Sequence, residues 1–228
     1  MLIEQPPAFF RALYPEALWR MDPSKKEIYL TFDDGPIPRV TPWVLDLLEK
    51  YGIRATFFMV GDNARKHPAE LEAVRERGHL LGNHTFNHVR GLQMGILPYA
   101  ENVQKADSLL HTPLFRPPHG FMSPAQYAYV KRHFHVVMWD LVTRDYSKRL
   151  NGPQVLAIVK RYARNGSIVT FHDSLKSEEK LCYALPRAIE WLQEEGYAFR
   201  TFDSLTLLPP PAFREKGQAE PSGSAGGK

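Results

Sequence analysis

Cysteine is nearly missing from this chain. Cys182 stands alone, which excludes an intrachain disulfide framework and a metal cluster built on cysteine. Long apolar runs are missing as well. No stretch approaches the roughly 18 residues of a transmembrane helix, so no membrane span is expected. The opening residues, Met1-Leu2-Ile3-Glu4-Gln5-Pro6-Pro7, lack a basic region followed by an apolar one. No secretory signal is expected there, and a cytoplasmic location is the default unless a signal has been removed. Charge of one sign is scarce: 29 Lys and Arg face 25 Asp and Glu, a formal net charge of +4. With no block of about five basic residues, no nucleic-acid partner is expected. Oligomeric state is not set by these features.

What is present points to a packed enzyme-sized domain. The 228 residues are 43% apolar and 12% aromatic, too rich for disorder over most of the length. Proline follows plausible helix caps at Thr41-Pro42, Ser123-Pro124 and Gly152-Pro153, where its missing N–H costs nothing. Ser123 and Gln126 fit a capping box. Glycine falls where helices should stop, at Gly52, Gly78 and Gly196. Between these signals lie short β-branched and aromatic runs. Strands are expected near Ile28–Phe32, Ala55–Val60, Leu80–Gly82, Leu114–Arg116, Val136–Trp139, Ser167–Phe171 and Ala198–Phe202. Helices are expected near Pro42–Tyr51, Asn63–Arg77, Pro98–His111, Pro124–His133, Pro153–Arg164 and Glu178–Glu195. Strands alternating with helices imply a parallel sheet with crossovers. The fold class is therefore α/β, a distorted (β/α)7-8 barrel in a single domain, with a doubly wound open sheet as the alternative. Residues 1–22 form an apolar packing segment, 23–208 the domain, and 209–228 a Pro/Gly/Ser-rich tail expected to be disordered.

Polar residues gather at strand ends. The first strand runs into Asp33-Asp34-Gly35-Pro36, where two adjacent carboxylates call for a nearby cation, although Asp-Gly-Pro is also a common turn. The third ends in Asn83-His84-Thr85-Phe86-Asn87-His88. Histidines spaced i and i+4 share one face of a helical turn, the geometry of paired metal ligands. With Asp34 they make a His2Asp set that leaves room for water and substrate, as in catalytic zinc sites. The fourth strand ends in Phe115-Arg116-Pro117-Pro118-His119-Gly120. The fifth is followed by Trp139-Asp140 and then Thr143-Arg144-Asp145-Tyr146. The sixth ends in His172-Asp173-Ser174, and His172 at the end of a buried strand is a candidate general acid. In a barrel all of these ends share one rim.

In that order these segments resemble the NodB-homology polysaccharide deacetylases, carbohydrate esterase family 4. Thr31-Phe32-Asp33-Asp34-Gly35-Pro36 is similar to the first family motif. His84 to His88 resembles the second, Arg116-Pro117-Pro118-His119-Gly120 the third, Asp145-Tyr146 the fourth, and Ile168 to His172 the fifth. The resemblance implies metal-dependent hydrolysis of N-acetyl groups on N-acetylglucosamine-containing saccharides, of the chito-oligosaccharide or peptidoglycan type. It implies that Asp34, His84 and His88 bind a divalent metal, with zinc expected, and that Asp33 is the general base. His172 would be the general acid, oriented by Asp145, with Arg116 holding Asp33 and the His119 backbone N–H helping at the oxyanion.

Three positions depart from the family pattern: His119 for Tyr, Tyr146 for Trp, and Thr170 for an aliphatic residue. They bear on the acyl pocket and sugar groove, to which Trp139 is also assigned. Phe86, Phe121, Trp139 and Tyr146 are expected as exposed aromatics able to stack on sugar. Hydrolysis of another small amide or cyclic imide, or a silent carbohydrate-binding domain, are the alternatives.

Overall fold

Most strands are short, largely apolar runs buried on both sides, as a parallel sheet covered by helices requires. The computed structural model describes residues 4–208. Among them are β1 (Glu27–Asp33), β2 (Thr56–Met59), β3 (Leu80–Asn83), β4 (Leu114–Phe115), β5 (His135–Val136), β6 (Leu141–Val142), β7 (Ser167–His172) and β8 (Ala198–Phe199). All pairings between these strands are parallel, in the order β5-β4-β3-β2-β1-β7-β6, with β8 beside the start of β1. The sheet curls on itself. Arg116, just beyond β4, reaches across the interior to Thr31 and Asp33 of β1, three strands away in the pairing order. This is the distorted, incomplete barrel expected, not a doubly wound open sheet.

The barrel does not close through strand pairing, because β5 and β6 end the path unpaired with each other. The N-terminal segment spans this region. Leu18 N donates to Val136 O and Met138 N donates to Leu18 O, both at 2.8 Å. On the far side Met21 N donates to Gly166 O at 2.8 Å. Phe10, Tyr14 and Trp19 are buried, and Phe10 and Trp19 pack against Trp139 with ring centroids 6.4 and 5.9 Å away. Burying side chains of this size stabilises by about 1.5–3 kcal/mol each. Asp140 ties the same segment down from inside. Its buried carboxylate accepts from Arg11 at 2.9 Å, Arg164 at 2.5 Å and Ser167 at 2.8 Å. Burial favours the neutral acid, but these donors outweigh it and hold the carboxyl below its usual range.

Outside the barrel, Phe32, Phe57 and Phe171 join the helical residues Val44, Leu48, Leu181, Leu185 and Ile189 in one apolar cluster. The Ser123 and Asn151 capping boxes start the helices Pro124–His133 and Gly152–Tyr162. Gly78 ends a helix at φ 74°, a backbone conformation that side chains disfavour.

Several boundaries differ from the sequence reading. The expected helix Asn63–Arg77 is two helices, Gly61–Lys66 and Pro68–Glu76. Pro68 pushes His67 out of the helical region, to φ −129° and ψ 60°. The expected strand Val136–Trp139 stops at Val136 and resumes as β6. The Val137 N–H still donates to Phe115 of β4 at 2.9 Å, but the carbonyls of Val137 and Met138 accept from Arg116 and the Met138 N–H donates to Leu18, so the ladder with β4 ends here. Thr41 is no cap. It is the first residue of its helix, and its hydroxyl donates to Asp173 at 2.6 Å. The expected tail, 209–228, lies outside the described residues.

Candidate metal centre and active site

Parallel register brings the polar strand ends to one level. Asp33 of β1 is the partner of His172 of β7, and Asn83 of β3 is the partner of Phe115 of β4. Asp34, His84, Arg116 and His172 therefore emerge around one opening, the carboxyl end of the barrel. A cavity of about 300 Å3 lies there. Asp33, Asp34, His84, His88, His119, Trp139, Tyr146, Thr170 and His172 line it. Arg116 and Asp145 do not. Both are fully buried behind the wall.

Asp34, His84 and His88 present ligand atoms that all lie within 4.8 Å of one another. His84 Nδ1 is 2.8 Å from the Arg116 carbonyl, so Nδ1 carries the proton and Nε2 is left with a lone pair. Burial pushes the His84 imidazole down to about 4, which keeps it neutral as a ligand must be. Burial would raise Asp34, but His88, His172 and His84 outweigh it and hold the carboxyl well below the usual carboxylate range. Asp34 Oδ1 is buried without a hydrogen bond, although His88 Nε2 is 3.1 Å and His84 Nε2 3.9 Å away. A buried anionic oxygen with no donor, facing two imidazole nitrogens, is a donor set that fits a divalent cation.

The two histidines do not sit on a helical turn. His84 follows β3 directly, and residues 85–90 are irregular. The i, i+4 spacing converges because Thr85 and His88 adopt positive φ, 62° and 52°. Asn83 and Asn102 hold this turn: Asn83 Oδ1 accepts from Thr85 N at 2.9 Å, and Asn102 Oδ1 from Phe86 N at 2.8 Å. Asp34, His119 and Arg144 also have positive φ. Such conformations cost about 1–3 kcal/mol each for non-glycine residues, and their concentration on loops around one cavity marks a functional site.

Two charged pairs flank the ligands. Arg116 Nη1 donates to Asp33 Oδ1 at 2.6 Å and to Thr31 Oγ1 at 2.8 Å. Its Nε and Nη2 donate to the carbonyls of Val137 and Met138, and its guanidinium lies 4.1 Å from the Phe58 ring centre. Opposite, Asp145 Oδ1 is 2.8 Å from His172 Nδ1, and Asp145 Oδ2 accepts the His172 backbone N–H at 2.8 Å. Burial alone would lower His172, but Asp145 overrides it and the imidazole is pushed up to about 9. Tyr146 meets the His172 ring edge to face, with centroids 4.7 Å apart.

The model of the family described as polysaccharide deacetylase matches residues 20–137. A peptidoglycan-N-acetylglucosamine deacetylase of Bacillus cereus is 34% identical over 200 residues, covering 82% of this chain and 91% of the relative.

The chain belongs to the polysaccharide deacetylase family.

Membership makes it a hydrolase of carbon–nitrogen bonds other than peptide bonds. The fold agrees. The Bc1960 peptidoglycan N-acetylglucosamine deacetylase, solved with 4-naphthalen-1-yl-N-oxidanyl-benzamide, superposes with a TM-score of 0.82 at 27% identity, over 90% of this chain and 99% of that one. BA3943, a CE4 family pseudoenzyme from Bacillus anthracis, superposes with a TM-score of 0.73 at 25% identity, over 84% of this chain and 69% of that one. The deacetylase fold thus also carries a pseudoenzyme, and chemistry depends on the side chains at the barrel mouth.

Three aromatic assignments need correction. Phe86 and Trp139 are buried and Tyr146 is half-buried, which leaves Phe121 as the exposed one of the four. Trp139 still lines the cavity, and its buried Nε1 has no hydrogen-bond partner. Gly120, at φ 78°, lets the chain pass over this indole, where an added Cβ would lie 2.1 Å from the ring. Asp173 was missed. Its carboxyl accepts from Gly35 N at 3.0 Å and from Thr41, clamping the turn that carries Asp34. A Cβ at Gly35 would lie 2.0 Å from Asp173 Oδ2, so the glycine is needed for this approach. Burial pushes Asp173 up to about 8. The only signal in sequence was a second carboxylate directly after His172. Lys176 lines the cavity too, and no motif pointed to it.

Proposed function

We propose that this deacetylase removes acetyl groups from N-acetylglucosamine-containing saccharides, of the chito-oligosaccharide or peptidoglycan type, with a divalent metal, zinc by its donor set. One observation carries the reading: Asp33, held by Arg116, and His172, held by Asp145, both reach one cavity that Asp34, His84 and His88 also line. Those three residues would hold the metal, which supplies Lewis acidity toward a water and an amide carbonyl.

The remaining work falls to the chain. Asp33, oriented by its hydrogen bond from Arg116, accepts a proton from the attacking water. The His119 N–H is the candidate donor to the carbonyl oxygen as it gains negative charge. An amine leaves poorly as an anion, so His172 donates a proton to the departing nitrogen. Its Nδ1 is held by Asp145, which leaves Nε2 for the transfer. Thr170, Tyr146, Trp139 and Val142 form the wall available to the acetyl methyl. Thr170 pairs its hydroxyl with Thr31 at 3.1 Å, so its polar atom is occupied. A silent carbohydrate-binding role would leave the His172–Asp145 pair and the unbonded Asp34 oxygen without a task.

Treatment with a chelator should abolish acetate release from N-acetylglucosamine oligomers and peptidoglycan fragments, and added zinc should restore it. Metal analysis should find about one ion per chain in the wild type and a large loss in Asp34→Ala. Full activity in the chelated protein would overturn the metal-dependent reading.

The pH profile tests the acid. With His172 at about 9, the imidazolium donor is present below that pH and lost above it, so kcat should hold to near pH 9 and then fall. Asp145→Asn removes the group that opposes burial, so the alkaline limb should move toward neutral pH. An alkaline limb that stays in place would assign the acid elsewhere.

A further inference from the structure

The strand β6 lies at one edge of the sheet and is two residues long, and the loop after it carries Asp145. On one side β6 is fastened to β7. Leu141 and Val142 pair with Val169 and Thr170, and the Thr143 N–H and hydroxyl both donate to the Thr170 carbonyl, at 3.1 and 3.0 Å. On the other side the partner is Glu4. The Val142 N–H donates to the Glu4 carbonyl at 2.9 Å, and Arg144 Nη1 donates to Glu4 Oε1. One residue of the N-terminal segment thus takes the edge strand by its backbone and the following loop by its side chain.

Glu4 is itself anchored. Gln5 Nε2 donates to the Tyr162 carbonyl at 3.3 Å, and Arg11 spans the Pro6 carbonyl and the Asp140 carboxylate, at 3.0 and 2.9 Å. The Glu4 and Arg144 side chains keep 22% and 14% of their surface, so salt screens the pair weakly. Among the described residues no other carboxylate pairs with Arg144. Arg144 stands at φ 59°, and a left-handed arginine persists only where its surroundings over-determine it. The turn it makes delivers the next residue, Asp145, whose carboxylate is fully committed. Oδ1 lies against His172 Nδ1 and accepts the Tyr146 N–H at 3.1 Å, and Oδ2 accepts the His172 N–H. Neither Glu4 nor Arg144 lines the cavity. Their contacts end one residue short of the group that holds the acid.

We propose that Glu4 is a positioning residue for the reaction: through Arg144 it fixes the turn that aims Asp145 at His172. The N-terminal segment then serves the acid side of the site as well as the barrel seam. This rests on the reading of His172 as the acid that protonates the departing amine. A misplacement of about 1 Å can cost a hundredfold in rate, and here the cost should fall on the step that needs the acid.

Glu4→Ala is tested on two substrates. One is an N-acetylglucosamine oligomer, whose amine must be protonated to leave; the other is 4-nitrophenyl acetate, whose phenolate leaves without a proton. On the oligomer kcat should fall about tenfold with KM unchanged. On the ester, counting only the hydrolysis that disappears in Asp34→Ala, the rate should stay within about twofold of the wild type. The reversed pair, Glu4→Arg with Arg144→Glu, should recover most of the oligomer kcat. Where the alanine variant is unstable, Glu4→Gln keeps an acceptor for Arg144 and should give a smaller loss of the same kind. An unchanged kcat on the oligomer, or an equal loss on both substrates, would overturn the proposal, the second by showing that Glu4 only holds the fold. Nitrogen NMR of the His172 ring, assigned by its loss in His172→Gln, needs no substrate. Glu4→Ala should move the Nδ1 shift part-way toward that of Asp145→Asn. If the wild type leaves either substrate intact, the deacetylase reading is judged by that failure and Glu4 by the ring shift, which overturns the proposal if it does not move.

Discussion

Asp33→Asn should lower kcat for acetate release by about a thousandfold, with KM changed by no more than a small factor. The change is nearly isosteric. The amide oxygen can still accept from Arg116, so the wall of the cavity keeps its shape, but the side chain can no longer take a proton at neutral pH. The metal ligands Asp34, His84 and His88 are untouched, so metal content should match the wild type. That pairing of results separates loss of the base from loss of the cation. Retention of the full rate with a normal metal content would remove Asp33 from the reaction.

Arg116→Met should destabilise the fold by about 3–5 kcal/mol, the cost of leaving one member of a buried ion pair without its partner. For a domain of this size that is a fall of roughly 10 °C in the unfolding midpoint. The side chain joins Thr31 and Asp33 of β1 to the carbonyls of Val137 and Met138, so its loss strands several polar groups at once. Lysine cannot repair this, because one ammonium cannot reach acceptors spread around a planar fork. Combining Arg116→Met with Asp33→Asn should recover part of the loss, since the neutral amide no longer needs a counter-ion. Thermal and denaturant unfolding of the two singles and the double variant would check this. A single-variant loss below about 1 kcal/mol would show that the guanidinium is not the hub of the barrel interior.

The strand and helix sequence was legible because alternating apolar runs, proline starts and glycine stops all agree. The site was legible because its polar residues directly follow those runs, where a parallel barrel brings them together. What escaped depended on partners distant in sequence. Thr41 reads as a cap, and only the fold reveals Asp173 as the partner of its hydroxyl. His84 and His88 read as a helical pair, yet Asn83 and Asn102 hold them in a left-handed turn. The break after β5 follows from Arg116 taking the Val137 and Met138 carbonyls and Leu18 taking the Met138 N–H, which no local pattern encodes. Trp139 reads as a free stacking surface because aromatic content alone does not say which rings the N-terminal segment will cover.

That segment has a consequence for how the protein is made. Leu18 lies more than a hundred residues from its partners at Val136 and Met138, and Met21 is equally remote from Gly166. This segment leaves the ribosome well before its partners and is therefore among the last to find its place. Until Trp139 and Val142 emerge, Phe10, Tyr14 and Trp19 have no complete surface to cover, and until Gly166 follows, Met21 lacks its partner and the nascent barrel keeps an open seam. A segment made early thus completes the assembly late.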